Sequence, residues 1–567
     1  MLRTGAFWIA VTAATAGLVL VACDTSTGNT DNPSSGVSLT STLLDNPAAY
    51  VPAQCYTKAL DSDSHAHNPC FNCHIPSTAP NYINDGNLQL SYDFRDPALV
   101  NAWSNLFKDR TAQVAAISDT AILAYVRSGN YFGADGKPQL ATTLQHVPAA
   151  WDYDGDGVWS GYVPDAWFQF DDEGFDRAPD GGYSGWRAFG YYPFLGTFWP
   201  TNGSTDDVFI RLAPAFRQDG SGQFDLTVYK VNLAIVEALI KRTNIAIDPV
   251  DEASVGVDLD HDGSLGTASV VVYDWAPAEG RNMYYAGAAR ALQESGEIHL
   301  AGGLYPEGTE FLHSVRYIDI DDTSGTIRMA ARLKELRYAR KTGWLTYSDL
   351  EEQALTELRD RDRNPERLRT IFGDIEHGVS NGQRWVYQGF IEDAGGALRP
   401  QTFEESVFCV GCHSGIGATA DGTFAFPRKL DAIHFRGGWY HWSQKDLQGL
   451  PEPIRADGHP EYAYYLERNG AGDEFRANEE VQAKFFDAAG NLKADALAQL
   501  ATDVTYLLYP SAERALTLNK AYKVIVDEQS YKYGRDGHVA PVTSVHQQVE
   551  SQQPTGIDVI EEGPGVL

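Results

Sequence analysis

The sequence predicts an α+β fold, mixed and loop-rich, with helical segments bearing paired cysteines at its two ends around a larger mixed middle region. Three observations predict it. Hydrophobic residues make up 43% of the 567 residues and mean hydropathy is −0.32, which supplies a core and excludes a polytopic membrane protein. Helical and strand patterns alternate along the chain without a repeat. The stretch 151–202 is dense in Gly, Asp, Trp, Tyr and Phe, which reads as long packed loops with short strands.

Along the chain, Ser118-Asp119 opens a helix to Arg127. Residues 208–212 and 269–273 read as strands, and 231–242 as a helix. Ser348-Asp349-Leu350-Glu351 reads as a capping box that opens a charged helix towards Arg359. Residues 386–400 read as a hairpin turning at Gly395-Gly396. Residues 496–509 and 512–523 read as helices, and the acidic end from Ser551 as a fraying tail.

Acidic residues number 76 against 44 basic ones, a formal charge of −32. A body that negative repels phosphate backbones, so nucleic acid is excluded as a partner and basic protein faces are favoured. The chain opens with an uncharged apolar run behind Arg3 that ends in Leu20-Val21-Ala22-Cys23. This ending resembles the lipobox of bacterial lipoproteins, where the signal peptide is cut before the cysteine and the thiol is acylated. The resemblance implies lipidation at Cys23 and an exported protein anchored to a membrane, facing the periplasm or the cell surface.

Two five-residue motifs carry most of the chemistry. They are Cys70-Phe71-Asn72-Cys73-His74 and Cys409-Val410-Gly411-Cys412-His413. In C-x-x-C-H, two thiols three residues apart reach the two vinyl groups of one haem, and the following histidine meets the iron. With six cysteines and 14 histidines in the chain, two chance copies are rarer than one. A zinc knuckle built from Cys70, Cys73, Cys409 and Cys412, or a thioredoxin-like redox pair, is the competing reading. Export argues against the zinc knuckle, and neither motif sits in a visible βαβ setting. The expectation is two covalently bound haem c groups, with His74 and His413 as proximal iron ligands.

The motifs, together with Gln54-Cys55-Tyr56-Thr57-Lys58, Asn68-Pro69, Gln388-Gly389-Phe390-Ile391-Glu392-Asp393 and Leu398-Arg399-Pro400-Gln401, resemble segments of dihaem c-type cytochrome lipoproteins. The likeness is to large cytochromes of metal-reducing bacteria. Signal, composition and motif positions divide the chain into a signal peptide (1–22), a flexible tether (23–45) and a first haem-binding region (46–150). Next come a loop and strand region with acidic loops (151–280), a mixed helical region (281–400), a second haem-binding region (401–550) and an acidic tail (551–567).

A second axial ligand decides between electron transfer and catalysis. Met1 is lost with the signal, and Met283 and Met329 both precede the second motif, so histidine is the expected distal ligand. His441, in an aromatic segment, and His313, in an apolar run before a strand, are the leading candidates, ahead of His434, His65 and His67. Cys55 reads as a small buried thiol.

Two acidic loops, one with Asp152, Asp154 and Asp156 and the other with Asp258, Asp260 and Asp262, place alternate carboxylates beside a glycine. Val163 and Ser269 stand where an EF-hand needs glutamate, so these are candidate calcium loops of another kind, with Asp165 or Asp251 and Glu252 available to complete a shell. The expected function is electron transfer by a membrane-tethered dihaem protein that docks redox partners. A dihaem peroxidase-like oxidoreductase with one open haem, acting on peroxide or another small substrate, is the alternative.

Overall fold

The computed structural model describes residues 38–60, 64, 66–196, 200–417, 421–470 and 478–563. The signal peptide, Cys23, the first part of the tether and His65 lie outside the described residues. Residues 37–567 cluster as one unit, so the sequence segments from 46 onward share a common body.

A nine-stranded antiparallel sheet runs through its centre. Its strands are β1 (Phe175–Arg177), β2 (Tyr183–Phe189), β3 (Thr205–Arg211), β4 (Glu310–Ile320), β5 (Ile327–Lys341), β6 (Phe372–Asp374), β7 (Gly378–Ser380), β8 (Trp385–Glu392) and β9 (Leu398–Pro400). They lie in the order β1-β2-β3-β4-β5-β8-β7-β6, with β9 paired to β8. The hairpin of β4 and β5 forms because Asp321 accepts the amides of Thr323 and Ser324, and Gly325 takes a φ of +69°.

Both faces of the sheet are covered, and period-two alternation assigns each residue to a face. Val208, Ile210 and Phe311 pack in one cluster with the helix Leu226–Lys241. Their neighbours Phe209 and Leu312 pack in another with Trp159, Tyr162 and Trp186.

Five helices frame the sheet and the cysteine motifs. They are α1 (Asp119–Arg127), α2 (Leu226–Lys241), α3 (Tyr347–Arg363), α4 (Phe403–Cys412) and α5 (Ala512–Glu528). Helix α1 starts as expected, with the Ser118 side chain accepting the Ala121 amide. Helix α2 starts earlier than its apolar pattern suggested, because Asp225 caps it at Val228. The capping box of α3 is Thr346 with Asp349, not Ser348.

The helix expected at 496–509 is two short ones, Ala494–Leu500 and Thr505–Leu508. Between them Asp503 takes the Thr505 amide and hydroxyl at 2.9 and 2.6 Å, a side-chain bond that competes with helix propagation. The hairpin at 386–400 forms as expected, with Gly396 at φ +87°. The strand expected at 269–273 is Thr267–Val271, paired with Ile245–Asp251.

The acidic tail is a correction. Among the described residues it is tied down: Gln553–Pro554 pairs with Ser91–Tyr92, and the amide of Glu561 donates to Gln89 at 2.7 Å. Arg455 donates to the Glu562 carbonyl at 2.8 Å. The charge of Glu561 is met by Arg468 at 3.2 Å, which offsets the repulsion that predicts fraying.

The regions around the two cysteine motifs interlock through glycine. A Cβ on Gly411 of α4 would lie 2.3 Å from the Tyr50 carbonyl oxygen, and one on Gly417 would lie 2.3 Å from the Ile75 nitrogen and 2.6 Å from the Cys73 oxygen. Trp103 binds the Val51 carbonyl at 2.8 Å and meets Phe408 of α4 edge-on. Helix α4 is itself pinned by a capping box of Thr402 and Glu405. Thr402→Ala should therefore lower stability by about 1 kcal/mol. Gly411→Ala should lower it further, by about 1–3 kcal/mol, because backbone rather than a mobile side chain blocks the new methyl. Denaturant unfolding of the two variants measures both effects; a silent Gly411→Ala would rule out the close approach.

Candidate functional site

One face of the sheet forms the floor of a cavity of about 250 Å³. Val208 of β3, His313 of β4 and Arg337 of β5 are cross-strand neighbours on that face, and Tyr387 of β8 continues it beside Ala339. The walls include Cys73 of the first motif and Cys409, Cys412 and His413 of the second. Motifs far apart in sequence thus meet at one cavity.

Cys409 and Cys412 lie on the last turns of α4, which puts both thiols on the side facing the sheet. Burial pushes the Cys409 thiol up and the Cys412 thiol up to about 11. The His413 ring packs against Phe424 and Tyr387 at 4.7 and 5.3 Å, and its Nδ1 shares a 2.8 Å hydrogen bond with the Thr423 hydroxyl. Burial lowers its pKa to about 3, with the Arg337 and His313 charges pushing the same way, so the imidazole is neutral. When Nδ1–H donates to Thr423, the lone pair is left on Nε2, which makes no hydrogen bond among the described residues.

The first motif sits on a shorter turn, and Asn72 and Cys73 are its residues that line the cavity. Cys70–Asn72 is a single 3-10 turn, and the His74 amide donates to the Cys70 carbonyl at 2.8 Å. The His74 Nδ1 pairs with the nearly buried Asp85 at 2.8 Å, and Gln89 holds the His74 carbonyl at 2.8 Å. Among the described residues its Nε2 again makes no hydrogen bond. A carboxylate on Nδ1 fixes an imidazole's orientation and raises the basicity of the other nitrogen, the condition of a metal-binding histidine. The Cys70 thiol is pushed up to about 12 by burial. Cys55 is raised well above its usual value by burial and by nearby Cys70, Cys73 and Cys412, which places it between the motifs.

Protonated thiols are poor nucleophiles, so the burial that raises Cys409 and Cys412 does not suit a reactive thiol pair at the second motif. Nor does the geometry suit the zinc knuckle: among the described residues no three cysteine or histidine ligand atoms gather within 4.8 Å.

Of the two leading distal candidates, the fold brings one to the cavity. His313 lines it, with Nε2 at 3.1 Å from Asp206. His441 does not line it. Its Nε2 bonds Asp207 at 2.8 Å, its Nδ1 bonds the Ser443 hydroxyl at 3.0 Å, and its ring packs on Phe170 and Phe209 across the sheet. Asp206 and Asp207 are adjacent on β3 and point to opposite faces, and their histidines go with them. His434 sits by Tyr192, and His67 bonds the Asn469 carbonyl at 2.6 Å.

The carboxylates of Asp152, Asp154 and Asp156 gather within 4.8 Å of one another. In the second loop Asp258 and Asp260 gather with the buried Glu252, while Asp262 turns to Ser264 at 2.7 Å. Asp165 is taken by Arg211 and Trp186, and Asp251 caps a short helix. Sequence reasoning missed Asp85, Thr423, Arg337 and Asn202. The only signal for the first two was a polar residue on the short return loop 10 or 11 residues after each motif histidine.

The sequence pattern of a family described as "-like lipoprotein" matches residues 39–506. A protein of Aquifex aeolicus (strain VF5) described as an uncharacterized lipoprotein is 30% identical over 553 residues, covering 87% of this chain and 86% of the relative. No solved structure matches the chain. The expected likeness to dihaem c-type cytochromes of metal-reducing bacteria is corrected by these matches, which place the chain among lipoproteins and assign no cytochrome. Among the described residues no helix is long and apolar enough to cross a membrane. The chain belongs to this lipoprotein family and is an exported protein anchored to a membrane.

Proposed function

We propose that this lipoprotein is a membrane-tethered electron-transfer protein carrying two covalently attached haems. One is held by Cys70 and Cys73 with His74 on the iron, the other by Cys409 and Cys412 with His413 on the iron. The reading rests on the chain's own motifs and not on any cytochrome family. The observation that carries it is the pair of motif histidines, each with Nδ1 engaged and Nε2 making no hydrogen bond among the described residues, with His413 on the cavity and His74 behind Cys73, which lines it.

A haem supplies reversible one-electron chemistry at its iron. The residues present fit such a group. The donor set is two thiols and one imidazole per motif, and the sheet face beneath offers Val208, Phe311 and Ala339 as apolar floor. Among the described residues, the side-chain oxygen of Asn72 and both amide atoms of Asn202 line the cavity without a partner. Asp85 and Thr423 hold the imidazoles in place. Glu335 meets both Arg337 and Arg535, at 2.9 and 2.7 Å, so a single carboxylate is shared by two guanidinium groups beneath the second motif. The acidic surface favours redox partners with a basic docking face.

His313 also supports a second reading, a peroxidase-like oxidoreductase. Its ring borders the cavity and is paired with Asp206, an arrangement able to accept a proton from a small substrate.

The mature protein, denatured and weighed, should carry the mass of two porphyrins and stain for haem peroxidase activity on a gel. Cys409→Ser with Cys412→Ser should remove one of the two. An apoprotein mass from an exporting host equipped for haem attachment would end the proposal. Absorption and EPR spectra separate the two readings. An electron carrier gives two low-spin irons indifferent to carbon monoxide and peroxide, whereas one high-spin iron that reacts with peroxide favours the oxidoreductase. Asp85→Asn should raise the midpoint potential of one haem only, because a weaker acceptor on Nδ1 makes His74 a poorer electron donor; equal potentials in variant and parent would remove Asp85 from the site.

A further inference from the structure

We infer that Asn202 is the anchor for a carboxylate of the porphyrin in the cavity, an assignment that rests on the haem reading above. Asn202 is 6% exposed and lines the cavity, yet neither its side-chain nitrogen nor its oxygen has a hydrogen-bond partner among the described residues. A buried amide left with both groups unpaired is uncommon in a folded protein and marks a place where a polar group belongs. The turn that carries it does not relax to satisfy it. Asn478 donates to the Thr201 hydroxyl at 2.7 Å, and Arg514 donates to the Thr201 carbonyl at 3.1 Å. Gly203 comes next at φ +88°, where a Cβ would lie 2.6 Å from Leu518. The turn is therefore clamped on both sides, with the amide facing inward.

The surroundings select the chemistry of the missing group. Lys334 reaches the same turn, donating to the Gly203 carbonyl at 2.7 Å and to the Ser204 hydroxyl at 2.9 Å. Its ammonium is thus held on the turn that carries Asn202, where its charge favours an anion. Of the groups on a porphyrin, the propionates are the anionic, hydrogen-bonding ones. The Asn202 N–H accommodates a carboxylate oxygen, and the amide oxygen is left for a water or for the carboxyl proton. Removing the donor leaves more negative charge near the iron, which favours its oxidised state.

The test uses the full lipid-anchored protein loaded with haem, with Asn202→Leu and Asn202→Ser measured against the parent. Leucine keeps the size and removes both hydrogen-bonding groups; serine keeps a donor. Redox titration followed in the visible bands should show the midpoint potential of one haem falling in Asn202→Leu, recovering part of the way in Asn202→Ser, with the other haem unmoved. The propionate bending band in resonance Raman spectra should shift in step. Both variants should still carry the mass of two porphyrins. Unchanged potentials and an unchanged propionate band, with both haems attached, overturn the assignment of Asn202 and leave the haem reading standing. A parent protein without porphyrin mass overturns the haem reading itself, and this assignment with it.

Discussion

The register between β4 and β5 is the constraint on which the site depends. His313 stands opposite Arg337, and Phe311 opposite Ala339. All four face the cavity, while Leu312 and Leu336 face the other core. A slip of β5 by one residue would turn that strand over, burying Arg337 among Trp159, Tyr162 and Phe390. Glu335, two residues before Arg337 on the same strand, would turn with it, so an ion pair would enter that apolar cluster at a large desolvation cost. The apolar pattern of both strands, a tight Asp321 turn and the paired charges therefore specify the same register, and the two cysteine motifs dock onto the surface it creates.

Charge inside the body is arranged differently from charge outside. The chain is strongly acidic overall, yet its interior holds a series of matched pairs: Arg399 with Glu405 at 2.8 Å, Arg428 with Glu461 at 2.8 Å and Lys341 with Asp421 at 2.6 Å. Such pairs are weak sources of net stability, because desolvation offsets most of their attraction, but losing one partner is costly. They act as registration pins. Arg399 links β9 to α4 through Glu405, and Arg428 joins the residues after the second motif to the helix beginning at Glu461. Lys341 ties the end of β5 to Asp421. Each joins a strand or loop near the cavity to a neighbouring element, and the pairing inside leaves the excess negative charge to the surface.

Much of the fold was legible where a local rule had no competitor. The helix behind Ser118 and the hairpin around Gly396 needed only their caps and turns. The misplaced starts of α2 and α3 came from reading apolar periodicity or the wrong hydroxyl, when Asp225 and Thr346 supplied the caps. The break at Asp503 was invisible because its cause is one side chain outbidding the helix for a backbone amide. The tail was unreadable for a different reason. Composition describes what a segment does alone, and Gln89, Arg455 and Arg468 are contributed by remote parts of the chain.

The site divides along the same line. The two C-x-x-C-H motifs announce themselves, since their chemistry is local in sequence. What neighbours each motif is not. Asp85 and Thr423 come from return loops, Arg337 from a strand, and Asn202 from a clamped turn, and each gains its meaning only from what it faces. His441 illustrates the converse error. Its aromatic setting resembles the wall of a cofactor pocket, but the same rings serve to pack the far face of the sheet, and Asp207 holds the imidazole there. His313 had the plainer sequence context, an apolar strand, and it is the one that faces the second motif. A histidine at an inward position of a central strand must reach a polar group, and His313 of β4 reaches Asp206 of the neighbouring β3 at the edge of the cavity. Strand parity, rather than the company of aromatic residues, is what decides which histidine can serve the site.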